Sequence, residues 1–199
     1  MLQIRIHARG GQGVVTATEL LSVAAFEQGR HAQAFPSFGS ERTGAPVVAF
    51  CRISDTEIRL REPILEPDVL IVQDPTLLHQ VDVFQGLRPD GYVLINSKRS
   101  FGELGLSEIE KRFRRERLTT VPATEIALKH LGRPLPNAVL LGGFAALSGL
   151  ITLGAVAHAI RDKFSGKLAD ANIAAAAEAY DFVQQELQQF LSTPNPAEA

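Results

Sequence analysis

Residues 2–17 read Leu2-Gln3-Ile4-Arg5-Ile6-His7-Ala8-Arg9-Gly10-Gly11-Gln12-Gly13-Val14-Val15-Thr16-Ala17, and this stretch decides the fold. Leu2, Ile4 and Ile6 alternate with polar residues and share one face, which predicts a strand. Four residues rich in glycine follow at once. Val14 to Gln28 then reads as a helix, with Ala17, Leu20, Leu21, Ala24 and Ala25 at helical spacing and Gly29 placed to end it. A strand that turns through glycines straight into a helix is the opening of a wound α/β sheet.

The rest of the chain continues that pattern. His31 to Phe35 and Val47 to Ile53 read as strands, joined by the loop Pro36 to Pro46. Ser54-Asp55 predicts a tight turn, with Glu57 to Leu60 as a return strand. Val69 to Gln73 and Tyr92 to Ile95 are short apolar runs of the kind buried in parallel sheets, and Thr119 to Val121 is a last strand. Ser107 to Arg115 predicts a helix with Ser107 as N-cap and Glu110 completing a capping box. Helices are expected at Thr124–Leu131, Ala138–Leu150, Thr152–Phe164 and Ala169–Leu191. The fold class is therefore α/β: a three-layer α/β/α domain on a doubly wound, mainly parallel, Rossmann-like sheet. One domain is expected over residues 1–192, with 193–199 a disordered tail.

Composition narrows the function. The chain has 199 residues, 45% hydrophobic and 21% charged, with a formal net charge of -2. That excludes a strongly basic nucleic-acid binder. Cys51 is the single cysteine, so the chain cannot close an internal disulfide or hold an iron–sulfur cluster by itself. A reducing, cytoplasmic setting follows. No apolar run reaches membrane-spanning length, and no signal or transit peptide is expected.

The glycine turn is the first candidate site. Backbone N–H groups at a helix start can face an anion, and Arg9 stands ready to add a full charge. A dinucleotide fingerprint would need a third glycine where Thr16 stands, and an acid at the end of the second strand where Phe35, Pro36 and Ser37 stand. A Walker A loop is excluded, since no Gly-Lys-Ser/Thr follows. A bare packing turn without ligand stays open beside the anion reading. The second loop, Ser37-Phe38-Gly39-Ser40-Glu41-Arg42-Thr43-Gly44-Ala45-Pro46, can lie at the same carboxyl edge of the sheet, and a plain solvated loop stays open there too.

Together, Arg9 to Ala17 and Ala32 to Pro46 resemble the gamma subunit of the pyruvate and 2-oxoacid:ferredoxin oxidoreductases. The resemblance continues through Val47–Ile53, Asp68–Asp74 and Pro136-Asn137. The Phe-Pro-Ser-Phe-Gly and Gly-Ala-Pro stretches look like the pyruvate type. The resemblance implies a reaction: a 2-oxoacid and coenzyme A give acyl-CoA and carbon dioxide, with electrons passing to ferredoxin or flavodoxin, and the reverse. It implies alpha, beta and delta partner subunits that carry thiamine diphosphate, Mg2+ and the iron–sulfur clusters. This chain lacks the GDG…NN pattern that holds thiamine diphosphate through a metal, and no metal site is expected on it. It is expected to hold no cofactor alone, to be inactive alone, and to help form the coenzyme A channel and subunit interface. Arg9, Gly10, Gly11, Gln12, Gly13, Ser37, Phe38, Gly39, Glu41 and Arg42 are the candidate binding residues; no catalytic residue is expected. The alternatives are a free-standing NAD(P)-type nucleotide-binding protein, with Arg30 and His31 meeting a 2′-phosphate, and a purely structural interaction module. No nucleic acid or membrane partner is expected.

The remaining candidates have plain explanations. Cys51 lies mid-strand in an apolar run and reads as a small buried hydrophobe. His7 reads as a satisfied interior histidine, and the other histidines fall at no metal-ligand spacing. The basic run Lys111 to Arg117 reads first as a solvated helix face. Gly142-Gly143 and Gly149 read as close-packing positions, inside the domain or against another subunit.

Overall fold

β1 (Leu2–Arg9) forms as the alternation requires: Ile4, Ile6 and Ala8 are buried on one face, Arg5 and His7 on the other. The computed structural model describes residues 1–37 and 43–192. The expectations for Phe38 to Arg42 and for the tail 193–199 lie outside the described residues. α1 (Val14–Glu27) begins directly after the glycine turn, and Gly29, at φ 74°, lets the chain reverse into β2 (His31–Pro36). β3 (Pro46–Ser54), β4 (Val69–Val72), β5 (Tyr92–Asn96) and β6 (Leu118–Val121) complete a six-stranded sheet ordered β2-β3-β1-β4-β5-β6.

The sheet is parallel-dominated but mixed. β1, β4, β5 and β6 pair in parallel, while β3 runs antiparallel to both β1 and β2. That arrangement removes the expected return strand at Glu57 to Leu60, which forms no strand. Both edges of β3 are already occupied, so the chain after Ser54 has no free ladder to join.

One face of the sheet is closed by helices. Here α1 packs with α3 (Ala123–Leu131), α4 (Asn137–Ser148), α5 (Leu153–Lys163) and α6 (Gly166–Ser192). Ile4, Cys51 and Ala34 meet across three strands on this face, as do Ile6, Ala49 and Pro36. α4 is buried along most of its length, as its apolar composition predicts. Gly142 serves internal packing: a Cβ there would stand 2.0 Å from the Ala176 carbonyl of α6. The other face is apolar over β4, β5 and β6, where Leu70, Val93 and Leu118 lie in register under Leu77, Leu87 and Phe101.

α2 (Ser107–Arg112) is shorter than expected, and Leu106 rather than Ser107 occupies its N-cap without a side-chain hydrogen bond. The capping exchange occurs seven residues earlier. Glu103 accepts from the Ser100 N–H at 2.8 Å, and the Ser100 hydroxyl oxygen accepts from the Glu103 N–H at 3.3 Å. Glu110 instead lies 3.6 Å from Arg115. The same residue types satisfy two spacings in this segment, and the earlier one forms the exchange. Among the described residues no helix is long and apolar enough to cross a membrane.

Candidate functional site

The structure brings the two sequence-predicted stretches together at the carboxyl end of β1. The Gly10 N–H donates to the Ala45 carbonyl at 2.9 Å, and the Gly44 N–H donates to the Gly10 carbonyl at 3.0 Å. Ser37 is exposed at the end of β2, its N–H bonded to the Val48 carbonyl at 2.9 Å. Phe38, Gly39, Glu41 and Arg42 lie outside the described residues.

The turn itself is held by a polar network. Gln12 Oε1 accepts from the Arg9 N–H at 2.8 Å, while its Nε2 donates to Asp74 Oδ2 at 2.7 Å. Gln73 donates from Nε2 to the Gln12 carbonyl. Asp74 Oδ1 accepts from the Thr76 N–H at 2.9 Å and from its hydroxyl at 2.6 Å. Arg9 is fully engaged: Nε lies 3.3 Å from Asp74, Nη1 donates to Gly44 O at 3.0 Å, and Nη2 donates to Gln80 at 3.0 Å. Burial alone would raise the Asp74 carboxyl, but hydrogen bonds from Thr76 and Gln12, with the Arg9 charge, outweigh it and hold the group below its ordinary value. The charge expected of Arg9 toward an anion is therefore met inside the protein.

The start of α1 is different. Gly13 sits at the N-cap with φ 74°, no side chain caps the helix, and no acidic residue occupies its first turn. Those N–H groups and the helix dipole present partial positive charge. They open on a cleft of about 560 Å³ lined by Gly11, Gly13, Thr16, Arg133, Asn137 and Asn172, with apolar walls from Leu135, Phe164 and Leu168. That volume suits a small organic ligand. Arg133 is exposed, and its side chain has neither an ion pair nor a hydrogen bond among the described residues. Asn137 is buried at 7% exposure; its Oδ1 accepts from the Ala138 N–H at 2.9 Å, while Nδ2 has no partner among the described residues. A Cβ on Gly13 would meet that Nδ2 at 2.7 Å, so the last residue of the glycine turn is also the seat of the amide.

A second cleft of about 420 Å³ lies on the other flank, lined by Gly10, Gln12, Thr43, Asp74, Asn96 and Thr124. Its lining includes a carboxylate, and Arg9 offsets it. The anion-compatible groups with spare capacity are therefore the α1 start, Arg133 and Asn137. Arg133 lies 120 residues after the turn, which is why reading the local motif misses it.

The other candidates resolve simply. Arg30 and His31 stand at the start of β2, about 17–20 Å along the strand from its glycine-turn end at ~3.3 Å per residue. They cannot meet a phosphate held at the turn, and Arg30 pairs with Asp55 at 3.1 Å. Cys51 is fully buried, and burial pushes its thiol up to about 12. His7 is buried, and desolvation followed by the Arg5 charge lowers it to about 4. Its Nε2 has no partner among the described residues, so it is not the satisfied histidine expected. Among the described residues no cluster of His, Cys, Asp or Glu could hold a metal.

Comparison with known proteins agrees over most of the chain. The family model described as pyruvate ferredoxin/flavodoxin oxidoreductase matches residues 3–182. A "pyruvate/ketoisovalerate oxidoreductases common subunit gamma" of Pyrococcus abyssi is 48% identical over 185 residues, covering 92% of this chain and 98% of that one. A "pyruvate synthase subunit PorC" of Methanothermobacter marburgensis is 48% identical, covering 91% and 97%. The crystal structure of a pyruvate oxidoreductase subunit from Thermotoga maritima superposes with TM-score 0.75 at 35% identity, covering 90% of this chain and 95% of that one.

Proposed function

Since the chain belongs to the pyruvate ferredoxin/flavodoxin oxidoreductase family, we propose that it works as the gamma subunit of such an enzyme. In that role it supports CoA-dependent oxidative decarboxylation of a 2-oxoacid to acyl-CoA and carbon dioxide, and the reverse, with electrons passed to ferredoxin or flavodoxin. Alpha, beta and delta subunits supply thiamine diphosphate, Mg2+ and iron–sulfur clusters. The donor set of this chain suits neither Mg2+ nor an iron–sulfur cluster: its one cysteine is buried, and its described acids and histidines form no metal cluster.

Coenzyme A is the group this chain's residues do fit. The observation that carries this reading is the start of α1, without a side-chain cap, seated in one cleft with the Arg133 guanidinium and the Asn137 Nδ2, neither of which has a partner among the described residues. Backbone N–H groups, a free guanidinium and a free amide N–H are the donors a phosphate needs. The Arg9–Asp74 network orients the turn, and apolar walls limit water around the ligand. A relative whose name spans pyruvate and ketoisovalerate enzymes supports a role that does not itself choose the 2-oxoacid. The test is co-expression with the partner subunits. Ferredoxin reduction that depends on pyruvate and CoA is expected from the complex and not from this chain alone. Turnover by the isolated chain would overturn the proposal.

A further inference from the structure

The second face of the sheet is covered unevenly. Over β4 to β6 it is the closed apolar layer. Over β1, β3 and β2 the register stacks another set: Arg5 lies opposite Phe50 and Phe50 opposite Phe35, while Arg52 lies opposite both Gln3 and Gln33. Directly opposed residues share a face, so both arginines belong to one patch. Arg52 is 1% exposed and Arg5 is 8% exposed.

Neither cation has a carboxylate partner among the described residues. Arg5 donates from Nη2 to the Val83 and Gln85 carbonyls at 2.9 and 2.5 Å. Arg52 donates from Nη2 to the Glu62 carbonyl at 2.6 Å and lies 5.3 Å over the Phe35 ring. Among the described residues Arg5 Nε, Arg52 Nε and Arg52 Nη1 have no acceptor, and Gln33 Oε1 and His7 Nε2 on the same face are also unpaired. Among the described residues neither arginine forms an ion pair with a carboxylate; Asp82 favours the Arg5 charge only from a distance. A buried charge without a counter-charge is costly. At the rim of this patch Phe35 and Val48 are half-buried.

We infer that the β2–β3–β1 patch is the docking surface for an acidic segment of a partner subunit, whose carboxylate supplies the missing counter-charge. The inference rests on the reading of the chain as a subunit. Charge selects the occupant. A second copy on a two-fold axis would bring arginine against arginine. A purely apolar element would leave the donors idle. A carboxylate laid against Phe35 and Val48 meets an uncompensated positive field, and a swing of Arg52 off the Phe35 ring would deliver its two free donors.

The test uses the assembled complex. Hydroxyl-radical footprinting of wild-type protein should show Phe35 and Val48 protected on assembly, with the protected partner peptide containing Asp or Glu. Arg52→Met should leave the isolated chain at or above wild-type melting temperature, because it removes an uncompensated charge. It should weaken assembly by about 30-fold or more. A complex that forms with the patch still open, with an acid-free peptide over it, or with a second copy of this chain over it, overturns the inference and leaves the subunit reading intact. Failure to assemble with any partner subunit removes both. Should Arg52→Met fail to fold, the wild-type footprint still decides.

Discussion

Arg9 and Arg133 flank the same glycine turn in opposite states. Arg9 touches Asp74, Thr76, Gln80 and Gly44, so its charge and its donors are consumed within the fold. The Arg133 side chain extends from the loop before α4 with no partner among the described residues, beside a helix start that no described side chain caps. The difference separates scaffold from site. A cation next to a phosphate-compatible turn says little about a ligand until its existing partners are counted, since a paired guanidinium has neither field nor hydrogen to spare.

The largest expected effect comes from the glycine at the N-cap of α1. Gly13→Val forces a β-branched side chain into φ 74° and drives its Cβ to 2.7 Å from Asn137 Nδ2. The strain and clash should cost about 2–3 kcal/mol and abolish anion binding together, read by thermal unfolding and titration. Gly11→Ala is the control: φ 91° with nothing within 4 Å of its Cβ should cost only about 1 kcal/mol. Equal costs for the two would remove the close approach between turn and amide from the account.

Next in size is Asp74→Asn, which keeps the shape of the side chain, removes its charge and turns one accepting oxygen into a donor. About 1–2 kcal/mol of stability should go, with ligand affinity following only as the turn loosens. The pH dependence has a definite sign. Asp74 is depressed in the fold below its unfolded value of 3.8, so its contribution is complete above that value and is lost as pH falls through the lowered one. Acid unfolding of wild type should therefore contain a component below about pH 4 that the Asn variant lacks. Matching acid profiles would mean the network adds no charge-dependent stability.

The sequence made the scaffold flank far more legible than the site flank. β1, the glycine turn and α1 are local, and alternation of Leu2, Ile4 and Ile6 followed by helical spacing needs no tertiary information. The antiparallel insertion of β3 was not legible, because pairing partners are chosen by topology, and the lost strand at Glu57 follows from it. The capping box went to Ser100 and Glu103 because two serines with an acid three residues on lie within eight residues of each other, and spacing cannot rank them. Arg133 and Asn137 reach the turn only through the path of α3 and α4. Pairing is equally invisible in sequence: Arg9 read as a free charge, and nothing in the strand patterns sets Arg5 and Arg52 apart.

Arg133→Ala should have the smallest effect on the fold and separate the two flanks most cleanly. An exposed side chain without partners contributes within about 0.5 kcal/mol of stability, so the melting temperature and the assembled fraction should match wild type. If Arg133 meets a phosphate, its loss should raise the KM for CoA in the assembled enzyme by about tenfold, which is the 1.4 kcal/mol scale of one charge-assisted contact. The KM for the 2-oxoacid should stay put, and Arg133→Lys should recover part of the loss. Arg9→Ala should show the reverse order, with the melting temperature falling first through the stranded Asp74 and CoA affinity changing as a consequence. Were Arg9→Ala to raise the KM for CoA at unchanged stability while Arg133→Ala did nothing, the assignment of scaffold and site would have to be exchanged.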